Sequence, residues 1–168
     1  MRRRDEQFEH YVRENRQSLI RTATLLAAGD AHLAEDVVQS MLTRLYVSWP
    51  AFSRSRNQQA YARRSLVNSL IDEKRRPWRR EVFSDAVPER SSTPTGEDDA
   101  RDTRIHQAMA ALPPRMRAAV VLRFYLDLSV EDTADVLNCA TGTVKSQTAR
   151  ALDRLRAYLG ETAEAPLR

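Results

Sequence analysis

Thr141, Thr143, Lys145, Ser146, Gln147 and Arg150 gather hydroxyl, ammonium, amide and guanidinium groups in one short stretch. If this stretch is helical, Val144 turns to a core while these polar side chains face outward. Lysine and arginine neutralise phosphates, and a glutamine amide pairs two-fold with an adenine edge. The free N–H groups of a helix start favour phosphate as well. The residues just before them must position such a helix. Ser129, with Asp132 three residues on, reads as an N-cap with an acidic first turn. Val130, Ala134 and Leu137 share one face, and the small Ala134 lets a second helix cross closely. Asn138 tolerates the left-handed backbone that a tight turn demands. The segment Ser129–Leu155 therefore reads as a helix-turn-helix able to enter a major groove. An ordinary helical hairpin with a polar surface fits the same spacing.

A second constellation runs from Tyr61 to Arg76 and combines Tyr61, Arg63, Arg64, Asn68, Lys74, Arg75 and Arg76. Aromatic rings stack on unpaired bases while arginines hold the backbone, although Tyr61 as a core residue and Trp78 as a loop anchor fit equally well. Residues 54–80 carry nine basic side chains against Asp72 and Glu73, net +7, within a chain of net charge +4. Residues 81–102 carry seven acidic and two basic side chains, net −5. A basic block beside an acidic one fits a polyanion contact next to a segment that avoids or mimics the polyanion. A solvated helix face followed by a linker gives the same pattern.

Catalytic chemistry finds little support. Cys139 is the one cysteine, and His10, His32 and His106 are scattered without metal-ligand spacing. Glu97-Asp98-Asp99 is the only dense carboxylate cluster, and it falls where a linker is expected. No enzyme activity, metal or cofactor is therefore expected. The basic start Met1-Arg2-Arg3-Arg4 leads into Asp5 and Glu6 rather than an apolar run, so no signal peptide is read. No stretch approaches the roughly 20 apolar residues of a membrane span, and a cytoplasmic protein is expected.

Periodicity and breakers predict an all-α chain. The first helix spans about Asp5–Ala28 and ends at Gly29-Asp30; the second spans Ala31–Trp49 and ends at Pro50. After a polar loop over 50–58, a third runs Gln59–Lys74, with Tyr61, Leu66, Leu70 and Ile71 facing inward. Ser84 to Arg101, with Pro88, Pro94, Gly96 and the acidic triplet, reads as a flexible acidic linker. Beyond it, Ile105, Met109 and Leu112 make a short amphipathic helix stopped by Pro113-Pro114, and Arg115–Tyr125 makes an apolar one bearing Phe124. The architecture expected is two small helical bundles joined by the linker, the second carrying the helix-turn-helix.

Three stretches in this order resemble the extracytoplasmic-function (group IV) sigma factors of the sigma-seventy family, in their SigE-like actinobacterial form. Ala34–Tyr46 (AEDVVQSMLTRLY) resembles the family's polymerase-docking helix, Tyr61–Arg76 its promoter-melting and minus-ten-reading helix, and Ser129–Arg156 its minus-thirty-five-reading helix-turn-helix. Gly142-Thr143-Val144-Lys145-Ser146 is the most specific element. The resemblance implies region 2 over 1–83, a linker over 84–101, region 4 over 102–160 and a tail over 161–168. It implies core RNA polymerase and promoter DNA as partners and leaves room for an anti-sigma protein. Asp36, Gln39, Ser40 and Leu42 would contact polymerase. Tyr61, Arg63, Arg64, Asn68, Lys74, Arg75 and Arg76 would hold the minus-ten strands. Thr141, Thr143, Lys145, Ser146, Gln147 and Arg150 would work at the minus-thirty-five site. The chain departs from the family pattern at Tyr61-Ala62 (usually Trp-Leu), Asn138 (usually Gly), Ala140 (usually a Ser cap, a role Thr141 could take one residue later) and Gln147 (often Arg). The residues before the first helix are too few for an N-terminal inhibitory domain, and none is expected. An autonomous helix-turn-helix regulator, which would need to dimerise, is the alternative.

Overall fold

The computed structural model describes residues 2–75 and 97–163, with side chains over 2–74 and 103–160. These residues are helical, without strands, and fall into two compact units, one within Met1–Arg90 and one within Ser91–Arg168.

The first unit is built from α1 (Arg2–Leu26), α2 (Ala31–Val47), α3 (Trp49–Ser53) and α4 (Gln58–Arg75). The chain leaves α1 through Ala28 and Gly29, both at positive φ, and Asp30 then caps α2 by accepting the Leu33 N–H at 2.9 Å. Leu33, Val37, Val38, Met41, Leu42 and Leu45 form a continuous buried stripe, each 6% exposed or less. Burying such side chains stabilises by roughly 1.5–3 kcal/mol each, so α2 is the axis on which α1 and α4 pack.

Pro50 does not open a loop as its sequence position suggests. It occupies the first turn of α3, where the missing N–H is no loss. That extra turn buries Trp49 and Phe52. Their rings join Phe8, Tyr11, Tyr46 and Tyr61 in an edge-packed cluster with centroids 5.0–5.9 Å apart. Asn57 caps α4 by accepting the Ala60 N–H at 2.9 Å. Ala62, Leu66, Val67, Ser69, Leu70 and Glu73 are buried along α4, whereas Ile71, expected inward, is 43% exposed.

The second unit holds α5 (Glu97–Ala110), α6 (Pro114–Val120), a π-helical turn (Val121–Tyr125), α7 (Val130–Leu137) and α8 (Thr141–Ala163). Glu97, Asp98 and Asp99 are the first turn of α5, not linker; three acids there suit the positive helix start. Expectation also fails at Ile105, 48% exposed, and at Phe124, 55% exposed. The predicted single helix through Tyr125 instead widens at Val121, whose carbonyl accepts the Leu126 N–H at 3.0 Å. Val121 and Leu122 stay buried in that wider turn, and Phe124 and Tyr125 stay out of the core.

Candidate nucleic-acid interface

The helix-turn-helix is assembled as the spacing requires. Ser129 Oγ accepts the Asp132 N–H at 2.9 Å, and Asn138 closes α7 at φ 51°, ψ 53°. The Cys139 N–H then reaches back to the Ala134 carbonyl at 3.0 Å. α7 buries Thr133, Ala134 and Val136, while Val130 and Leu137 are only half-buried. Val144 (1% exposed) and Ala151 (0%) fix which side of α8 meets the core. Thr141 lies inside α8, and Ala140 stands at its start, accepting the Val144 N–H at 3.2 Å. A cap by Thr141 one residue later is thus not what starts this helix.

Thr141, Gly142, Lys145, Ser146, Ala149 and Arg150 are exposed and line the outward side of α8. Thr143 and Gln147 are half-buried. The Gln147 Oε1 is buried without a hydrogen-bond partner among the described residues, so its amide is turned partly away from the outward face. Ser146 Oγ donates to the Thr143 carbonyl at 3.0 Å, which commits that hydroxyl proton to its own helix. A Cβ on Gly142 would meet nothing within 4 Å. Packing therefore does not demand this glycine.

On α4, Arg64 and Asn68 are exposed beside Ile71 and lie on one side of the helix at spacings of four and three. Tyr61 is half-buried, its ring edge-on to Phe52 at 5.6 Å. It is part of the aromatic cluster as well as a surface group. Arg63 and Lys74 are half-buried on a different flank, near the buried Val67. The Arg75 side chain and all of Arg76 and Trp78 lie outside the described residues.

Sequence reasoning missed a cavity at the start of this helix. A cavity of about 320 Å³ opens between α1, α3 and the start of α4, walled by Tyr11, Trp49 and Phe52 and rimmed by His10, Glu14, Asn15 and Gln58. Burial pushes the Tyr11 hydroxyl up to about 12, so it stays a hydrogen-bond donor at neutral pH. Arg56 is exposed in the adjoining loop. The meeting of α1, α3 and the start of α4 makes this cavity, and no local motif announces it.

α2 turns a polar stripe away from its core: His32, Gln39, Thr43 and Val47 exposed, with Asp36 half-buried among them. Leu42 does not belong to that stripe. It is 6% exposed and part of the core, which corrects its assignment as a contact. Ser40 is half-buried, and its hydroxyl donates inward to Glu73 Oε1 at 2.5 Å. No cluster of three or more His, Cys, Asp or Glu side chains that could hold a metal occurs among the described residues. No described helix is long and apolar enough to cross a membrane.

Comparison with known proteins settles the family. The model of sigma-70 region 2 matches residues 11–80, and that of sigma-70 region 4 matches 102–155. The RNA polymerase sigma-E factor of Streptomyces avermitilis is 35% identical over 91% of this chain and 85% of its own length. The chain belongs to the sigma-70 family. The ECF RNA polymerase sigma factor SigM of Mycobacterium tuberculosis is 30% identical over 91% of the chain and 77% of its own length. Among solved structures, the sigma factor RpoE of Bartonella quintana, in complex with the anti-sigma factor NepR, matches with a TM-score of 0.77. It is 25% identical, over 92% of this chain and 98% of that one. This sigma factor thus carries regions 2 and 4 in its two helical units and acts in promoter-specific transcription initiation by RNA polymerase. The cavity and the α4 face lie in region 2, the α8 face in region 4.

Proposed function

We propose that this sigma factor divides its work among three exposed faces. The α2 stripe (Asp36, Gln39, Thr43 and Val47) docks on core polymerase; Val47, 73% exposed, supplies an apolar anchor at its end. Arg64 and Asn68 on α4, with Arg63, Lys74, Arg75 and Arg76 flanking, hold the minus-ten strands. The α8 face enters the major groove at the minus-thirty-five site through Lys145 and Arg150, with Thr141 and Thr143 at the helix start. Gly142 supports this last role. Gly142 is exposed in the first turn of α8, with open space where a Cβ would stand. A missing side chain pays off when a DNA backbone lies against that turn.

The observation that carries the reading is the cavity at the start of α4, the helix that bears Arg64 and Asn68. Aromatic walls with amide, imidazole and carboxylate groups at the rim suit an unstacked base. Capturing such a base offsets the few kcal/mol of unpairing it, so the protein opens DNA by binding, without catalysis of its own. Region 2 lies within residues 1–83 and region 4 within 97–163, with the linker before Glu97. The protein works in the cytoplasm with polymerase and is held in check by an anti-sigma protein, a reading supported by the complex of its structural relative RpoE with NepR.

Run-off transcription with purified core polymerase on genomic fragments tests this. Start sites that appear only with this protein, and that fade when Asn15 or Gln58 is replaced by a Trp that fills the cavity, are the expected result. Initiation unaffected by those fillings removes the base-capture assignment. A protein that shifts DNA alone but never directs polymerase would be an autonomous regulator instead.

A further inference from the structure

Two acidic residues, Asp72 and Glu73, stand in the last described turn of α4. Each reaches back to α2. Glu73, 2% exposed, accepts the Ser40 hydroxyl at 2.5 Å. Asp72 pairs with Arg44 at 2.6 Å, both side chains about half exposed (47% and 51%). Ser40 and Arg44 are one helical turn apart on α2, so the two links form a staple across the helix pair. A buried carboxylate is costly unless hydrogen-bonded, and a leucine would fill this site without that cost. Below the staple, the pair is already zipped by Met41, Leu45, Leu66 and Leu70, all buried. The staple is therefore not needed to join the helices. What it adds is directional: hydrogen bonds fix rotation and register, which apolar contact leaves loose. The turn it fixes leads straight into Lys74, Arg75 and Arg76.

We infer that Glu73, assisted by Asp72, is a positioning residue that aligns the basic end of α4 with the polymerase-docking helix, so that docking presents those cations to the strand being separated. The inference rests on the proposed roles of α2 and α4. Glu73 touches neither DNA nor polymerase in this account; it acts through Ser40 and the backbone of the last turn.

The test uses full-length protein in holoenzyme, with one promoter supplied as duplex and as a pre-opened bubble. Glu73→Leu should leave polymerase affinity and bubble transcription within about threefold of wild type, while duplex opening, read by chemical probing of unpaired thymines, slows about tenfold. Glu73→Gln, which keeps an acceptor for Ser40, should recover most of the opening rate. Should Glu73→Leu fold poorly, the exposed pair provides an independent reading: Arg44→Asp should slow duplex opening, and the exchange Arg44→Asp with Asp72→Arg should restore it. Equal losses on duplex and bubble templates, or unchanged duplex opening in both Glu73→Leu and Arg44→Asp, overturn the inference. Failure of the underlying face assignments looks different: Gln39→Ala and Asn68→Ala would then leave polymerase affinity and promoter use untouched.

Discussion

Arg117 should be the costliest polar side chain to remove from region 4. It is 7% exposed, and its guanidinium donates to the Met109 carbonyl at 2.9 Å through Nε and to the Leu112 carbonyl at 3.0 Å through Nη2. These carbonyls sit at and just beyond the end of α5, where the regular helical bonds run out; the Met109 carbonyl also accepts the Leu112 N–H at 3.1 Å. One buried arginine thereby caps α5 and ties it to α6. Burial also pulls the guanidinium downward from its usual range, although it remains charged at neutral pH. Arg117→Met keeps the apolar stem and removes both donors. A charge-assisted hydrogen bond is worth about 1.5–3 kcal/mol, and relief of the arginine's own desolvation returns part of the sum. A net loss of about 3 kcal/mol is expected, which for a unit of this size lowers its midpoint by about 12–24 °C. Thermal unfolding combined with hydrogen exchange on the full chain reads this directly. Protection should fall across α5, α6 and α7 and hold in region 2. A midpoint shift below about 2 °C, or protection lost equally in both units, would show that the two bonds do not anchor α5.

Asn138 sits in the left-handed region, so Asn138→Gly should match or slightly exceed wild-type stability, whereas Asn138→Val should lose about 1–2 kcal/mol in region 4 melts; a valine variant as stable as glycine would refute the strain argument. The raised hydroxyl of Tyr11 predicts an alkaline effect. Below pH 10 neither state ionises it; between 10 and about 12 only the unfolded state does, so region 2 should lose stability across that window, and Tyr11→Phe should flatten that part of the profile. Ser69 and Thr133 are each 0% exposed with hydroxyls lacking a partner among the described residues. Ser69→Ala and Thr133→Val should therefore raise the unfolding free energy by about 1 kcal/mol each, read as higher denaturant midpoints; a drop would reveal a partner for the hydroxyl.

What could be read in advance divides along local and tertiary lines. The α2 stripe, the Ser129 cap and the Asn138 turn follow from spacing within one element, and the structure has each of them. The misreadings share another origin. Ile71 and Ile105 are apolar and correctly spaced for burial, yet among the described residues they stay 43% and 48% exposed. Leu42 counts among the docking contacts only through the family resemblance, while its azimuth on α2 points to the core. Pro50 reads as a stop in a one-dimensional pattern, but proline at a first helical turn is a start. Gln147 has the right chemistry for base reading, and only packing reveals that its amide turns partly inward. The cavity is the extreme case. Tyr11 comes from α1, Trp49 and Phe52 from α3 and Gln58 from α4, so no window of sequence contains it. The same reasoning explains why Glu73 escaped notice: in sequence it is one acid in a basic run, and only the 2.5 Å approach of Ser40 from α2 makes it part of the link between docking and strand opening.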